Sequence, residues 1–101
     1  MSYEMLVGLN VVDDNMYTQY RESMMPILKE HGGHFGYDFK IGEVLKSETD
    51  NPINRVFTLC FPSKEKQQAF FSNANYLVVK EKFFVNSVAH RTLIADYERS
   101  E

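Results

Sequence analysis

With 101 residues, 44% of them hydrophobic and 25% charged, the chain has the make-up of one ordinary globular domain spanning residues 1–101. Its net charge of −3, with acids and bases interspersed, provides no basic face to neutralise phosphates, so nucleic acid is not an expected partner. No apolar run approaches the ~20 residues that cross a bilayer, no basic leader precedes an apolar core, and Cys60 has no second cysteine to pair with, so a cytoplasmic location is expected.

Residues 3–12, YEMLVGLNVV, are rich in β-formers and free of proline, which predicts a strand. Met5, Val7, Leu9 and Val11 form its apolar set, and Glu4, Leu6, Gly8, Asn10 and Val12 a mixed one. Asp13 is placed to cap a helix, along which Met16, Tyr20, Met24, Ile27, Leu28 and His31 recur at spacings of three and four. Pro26 lies inside that run and is expected to kink it, and Gly32 fits the left-handed position that ends a helix.

A second strand is expected over residues 33–47. Phe35, Tyr37, Phe39 and Ile41 alternate there with His34, Gly36, Asp38 and Lys40, and Gly42 marks a bulge or bend. The polar SETDNPIN turn leads to a third strand, RVFTLCFP, with Phe57, Leu59 and Phe61 on one side and Val56, Thr58 and Cys60 on the other. Ser63 caps a second helix carrying Ala69, Phe70 and Phe71, and Asn73 caps a further segment in which Tyr76, Val79 and Phe83 share a face. SVAHRTLIADY closes the chain as a fourth strand, with Val88, His90, Thr92 and Ile94 opposite Ala89, Arg91, Leu93 and Ala95.

The order β-α-β-β-α-β predicts an α+β, ferredoxin-like fold: an antiparallel four-stranded sheet with its helices on one face. If the helices cover Phe35, Tyr37, Phe39, Phe57, Leu59 and Phe61, the other face has no internal cover. That face would present Leu6, Val12, Val56, Cys60, Val88 and Ile94 among His34, Asp38, Lys40, Thr58, His90 and Thr92. Such a surface is too apolar to stand open and too polar for a dry core. A second copy, packed face to face about a two-fold axis, would cover it, so a homodimer is expected.

The stretches DDNMYTQYRESMMPILKEHGGHF, INRVFTLCFPS, AFFSNANY and SVAHRTLIADYE together resemble a small dimeric α/β-barrel family, domain of unknown function thirteen-thirty. The most telling pieces are Tyr17, Tyr20 and Arg21 on the first helix, His31-Gly32-Gly33 at its end, and Phe61-Pro62-Ser63. The resemblance implies a ferredoxin-like fold and dimerisation, and no settled activity. Many relatives follow the second strand with Arg-Gly-Gly, whereas this chain reads Asp38-Phe39-Lys40-Ile41-Gly42, so a role for that arginine does not transfer. The broader barrel superfamily includes cofactor-free monooxygenases, isomerases and dehydratase-like proteins, but a shared fold does not carry a shared reaction.

Four polar residues, His34, Asp38, Lys40 and His90, are placed to face a pocket between the sheet and the partner subunit. A histidine beside an acid there could act as general acid or base, which makes His34, His90 and Asp38 the catalytic candidates. The plainer and preferred reading is a polar strand face satisfied by the interface or by water. Lys40, Arg55 and Arg91 are candidate anchors for an anionic ligand, although arginines on strands as readily pair with acids across the sheet. Tyr20 and Arg21, beside Tyr17, are placed to line a pocket mouth or to pack between helix and sheet. His31 and His34 straddle a helix end without a third ligand nearby, and Cys60 lies mid-strand without an activating cation, so neither a metal nor a thiol nucleophile is expected. No cofactor is expected either. Two functions stay open: a binding or structural module that does no chemistry, and a cofactor-independent enzyme in which His34 or His90 moves a proton.

Overall fold

The computed structural model describes residues 1–100. Strand β1 (Ser2–Val11) leads into helix α1 (Asp14–Glu30), then come strands β2 (His34–Lys40) and β3 (Arg55–Phe61). Helices α2 (Lys64–Ser72) and α3 (Ala74–Val79) follow, then a π-helical turn (Lys80–Phe84), a last helical turn α4 (Val85–Ser87) and strand β4 (Val88–Arg99). The strands lie in the order β2-β3-β1-β4, all neighbours antiparallel. This is the expected ferredoxin-like sheet.

The helix boundaries follow from their caps. Asp13 accepts from the Met16 amide, Ser63 from Lys66 and Asn73 from Tyr76, so each helix opens on a side chain that satisfies a free backbone donor. α1 runs on unbroken through Pro26. It ends where Gly32 adopts φ 72° and the Gly33 amide donates to the Leu28 carbonyl at 2.9 Å. Gly33 itself has no room for a side chain, since a Cβ there would lie 2.4 Å from Leu28 Cδ1.

Tyr3, Met5, Val7, Leu9 and Val11 all point to the helix side and are buried, where they meet Tyr17, Tyr20, Met24 and Leu28 of α1. Phe57, Leu59 and Phe61 of β3 join them, and Phe70 and Tyr76 close the far end. All the helices that contribute to this core therefore cover the same face of the sheet.

The expected alternation fails on β2. The strand stops at Lys40, and Phe35 and Asp38 are paired with Leu59 and Phe57 across a register irregularity. The extra residue is accommodated at Gly36 and Tyr37 rather than at Gly42. A Cβ on Gly36 would sit 2.6 Å from Thr58 Oγ1, and that same oxygen accepts the Tyr37 amide at 2.8 Å. Thr58 thus takes the place of a ladder bond and turns the strand over. Beyond it Asp38 and Lys40 lie opposite Phe57 and Arg55, on the helix side, not on the open face. Tyr37 and Phe39 move the other way, 63% and 52% exposed, with rings stacked 5.9 Å apart on the open face.

Two further irregularities reset β4, with Ile94 and Ala89 as the unpaired residues. Val88 consequently pairs with Val11 in the core instead of facing outward, and Ala95 comes to lie beside Leu6 on the open face. His90 and Thr92 remain on the open face, opposite Asn10 and Gly8. Residues 41–54 form a long connection, not a strand extension, tied down where the Asn54 amide donates to Leu9 and its side chain bridges Val11. Just before it, Ile53 lies 3.1 Å from where a Gly8 Cβ would stand, so the open face has partial internal cover after all.

Candidate functional site

A partly open cavity lies between helices and sheet. The cavity, of about 300 Å3, is floored by Met5, Val7, Leu9, Phe57 and Leu59 and roofed by Tyr17, Tyr20 and Met24 of α1. Phe71, Tyr76 and Phe84 close one side. The volume sits at the lower end of the ~300–1,000 Å3 typical of ligand sites, and a mainly apolar lining with a few polar groups is the usual composition.

Those polar groups are specific. Tyr20 and Tyr76 share a hydroxyl–hydroxyl bond of 2.8 Å, and Tyr17 Oη accepts from Arg21 Nε at 2.8 Å. Burial raises the pKa of all three phenols, so each is a neutral donor under ordinary conditions. Lys80 and Arg91 also reach the cavity wall. Lys80 opens the π-helical turn, and turns of that kind recur at functional sites because they redirect side chains.

Next to Tyr17 stands an ion-pair group that joins helix to sheet. Arg55 holds Asp38 with two bonds of 2.8 Å, and Arg21 reaches the same carboxylate at 3.2 and 3.3 Å. The Arg21 guanidinium also lies over the Phe35 ring, 3.8 Å from its centre. Partial burial opposes ionisation of Asp38, but the two guanidiniums outweigh it and hold the carboxyl below its ordinary range. Arg55, a candidate ligand anchor, is thereby committed to an acid within the fold.

On the open face Glu4 is the unusual residue, only 6% exposed. It accepts from Tyr97 Oη, from Arg99 at 2.9 Å and from the Cys60 thiol at 3.1 Å. The Tyr97 bond above all holds its pKa down. Burial, and next the bond to Glu4, push the Cys60 thiol up to about 11, which leaves it a poor nucleophile.

These two carboxylates set an acid dependence. Both have folded-state values below their unfolded ones, so their stabilisation is present above ~pH 4 and is lost as the pH falls through the depressed values. The unfolded chain binds more protons in that window, and stability rises with pH across it. Urea midpoints measured from pH 7 down to pH 3 should fall steeply in the native protein and less steeply in Asp38→Asn and Glu4→Gln. Parallel curves for all three would contradict this.

The sequence-derived candidates are thus divided among three places. Tyr20 and Arg91 line the helix-side cavity, and Arg21 lies behind Tyr17 with Asp38 and Arg55. Lys40 is exposed at the end of β2. His34 and His90 are exposed on the open face, on opposite edge strands. His31 Nδ1 donates to the Ile27 carbonyl, 2.8 Å away, and its ring packs edge-on to Phe70, which accounts for it structurally. Among the described residues no three acidic, histidine or cysteine side chains stand together as a metal site. Sequence reasoning did not single out Tyr76 or Lys80 for a site. Tyr76 carried the signal of a core residue, and Lys80 only that of a solvated helix face.

An apolar cavity roofed by helices over a four-stranded antiparallel sheet defines a small α+β protein of the ferredoxin-like class. The chain belongs to the family described as Domain of unknown function (DUF1330), whose model matches residues 3–96. It is similar in fold to a protein of unknown function from Rhodopseudomonas palustris, with 16% identity, TM-score 0.81, and coverage of 99% of this chain and 83% of that one. A dimeric protein of unknown function and ferredoxin-like fold from Bacteroides fragilis is 13% identical, with TM-score 0.65 and coverage of 97% and 96%. A putative antibiotic biosynthesis monooxygenase from Nitrosomonas europaea is 18% identical, with TM-score 0.55 and coverage of 95% and 88%. No curated protein matches the sequence. No helix among the described residues is long and apolar enough to cross a membrane.

Proposed function

We propose that this chain is a small-molecule-binding module that works as a homodimer, with the ligand held in each subunit's helix-side cavity. The observation that carries the reading is the cavity itself, about 300 Å3 between Tyr20, Tyr76 and the sheet. A concave, mainly apolar space of this size with a few polar groups in its wall suits a small ligand. The open sheet face supports the second half of the reading. It carries the exposed Tyr37–Phe39 stack beside half-buried Leu6 and Val56, and the B. fragilis relative is described as dimeric. A cytoplasmic location accords with the free, buried Cys60. The cavity is walled by tyrosines, and neither His34 nor His90 lines it, so binding is favoured over histidine-based proton transfer.

Five methionines make the test direct, because Met5 and Met24 line the cavity while Met1, Met16 and Met25 do not. In a sample with 13C-labelled methionine methyls, indole as a neutral aromatic probe should move the Met5 and Met24 signals selectively. Light scattering should return a mass twice the 11.8 kDa of one chain. Indole leaving Met5 and Met24 unmoved would remove the cavity reading, and a monomer at micromolar concentration would remove the dimer.

A further inference from the structure

The hydroxyls of the three tyrosines that line the cavity do not balance their own hydrogen bonds. Tyr20 and Tyr76 share a single bond, which uses one of two O–H protons. Tyr17 accepts from Arg21, which uses none of its own. Among the described residues, no acceptor takes the remaining two protons, although the three side chains are 1%, 5% and 3% exposed for Tyr17, Tyr20 and Tyr76. Buried donors of this kind normally find a partner.

The charges around the same space are equally one-sided. Lys80 and Arg91 are the charged residues in its wall, both cations, and neither has an ion-pair partner among the described residues. Arg91 lies close enough to Tyr76 to act electrostatically on its hydroxyl, so the cations and the tyrosine pair share one region. No aspartate or glutamate among the described residues lines the cavity. Apart from Gln67, whose amide nitrogen donates to the Met5 sulfur at 3.5 Å, the remaining wall is methionine, aliphatic and phenylalanine side chain.

Spare donors, unpaired cations and apolar walls ask for one kind of occupant, and, resting on the binding function proposed above, we infer that the ligand is a compact aromatic or cyclic carboxylic acid. Its ring lies against Met5, Met24 and Leu59, and its carboxylate is held by Arg91 and Lys80 with a proton from the Tyr20–Tyr76 pair. An anion meeting two cations and an O–H donor at the edge of an apolar cavity gains charge-assisted bonds that a neutral analogue lacks.

The matched probes are 3-phenylpropanoate and 3-phenylpropanamide, titrated into the methyl-labelled protein. The acid should move Met5 and Met24 at concentrations at least ten-fold lower than the amide. The double variant Lys80→Gln/Arg91→Gln, both positions being exposed and outside the core, should keep the native melting temperature and the amide affinity while losing the ten-fold preference. Equal affinities for acid and amide, or a preference that survives in the double variant, would overturn the inference and leave the cavity function standing. If neither probe nor indole moves Met5 or Met24, the binding function falls and the inference with it.

Discussion

Phe70→Ala is expected to lower the unfolding free energy by about 3–5 kcal/mol, the loss typical of a large buried ring removed without collapse of the space it leaves. Phe70 is fully buried and meets Phe61 of β3, Phe71 of its own helix and Tyr76 of α3, at 5.7, 5.0 and 4.4 Å between ring centres. His31 at the end of α1 completes the contact at 5.8 Å. One ring therefore ties four elements together, and none of them can close the gap without leaving the others. For a domain near 100 residues, with total stability of ~5–15 kcal/mol, a loss of this size lowers the melting temperature by roughly 15–30 °C. Urea denaturation of the native protein and the variant measures it, with Phe71→Ala, at a half-buried site, losing less. A Phe70→Ala loss under ~1 kcal/mol would show that the aromatic cluster is not what joins helices to sheet.

The second large effect concerns the open face. Leu6→Lys is expected to weaken the proposed dimer more than a hundred-fold, which corresponds to ~2.7 kcal/mol. Leu6 stands on an inner strand, flanked by Thr58 on β3 and Ala95 on β4. An ammonium placed among the apolar side chains of a covered face loses its water, and the truncation of a matched contact adds to that loss. The fold should survive, since Leu6 lies on the side away from the helix-covered core, and an unchanged far-ultraviolet circular dichroism spectrum checks this. Phe39→Asp, at an exposed position on edge strand β2, provides a second variant that cannot disturb the core. Sedimentation or light scattering across a concentration series reads the dissociation. A dimer undisturbed by both changes would mean that the sheet face is not the interface.

Both predictions rest on which side of the sheet a residue occupies, and that is where sequence and tertiary structure divide. Local chemistry was legible in the chain. Asp13, Ser63 and Asn73 are short polar side chains in front of apolar runs, and each caps its helix. Gly32 stands where a left-handed residue must, and the HGGH stretch is a helix end running into a strand. The alternation in β1 and β3 names the core faces because both strands are inner ones, with regular pairing to each other.

The edge strands were not legible in the same way. Each has a neighbour on one side alone, so an inserted residue there disturbs a single ladder. A bulge reverses the face of every residue beyond it. Gly36 and Thr58, twenty-two positions apart, make the bulge that sends Asp38 to Arg21 and Arg55 and turns Tyr37 and Phe39 outward. Nothing in the alternation of residues 33–41 carries that information, because the hydroxyl that replaces the ladder bond belongs to another strand. The candidate site depended on tertiary structure for the same reason. Tyr20 and Arg91 are recognisable as residue types, but Tyr76 and Lys80 join them only because α3 and the π-helical turn after it pack against α1.

The sequence by itself determined the order of elements, their caps and the two regular core faces, since capping and inner-strand alternation are local and repeat along the chain. The tertiary structure decided where the cavity lies, which tyrosines and cations line it, and which aromatic residues face outward. Those outcomes come from register and from contacts between distant segments, and a single shifted residue in an edge strand is enough to exchange them.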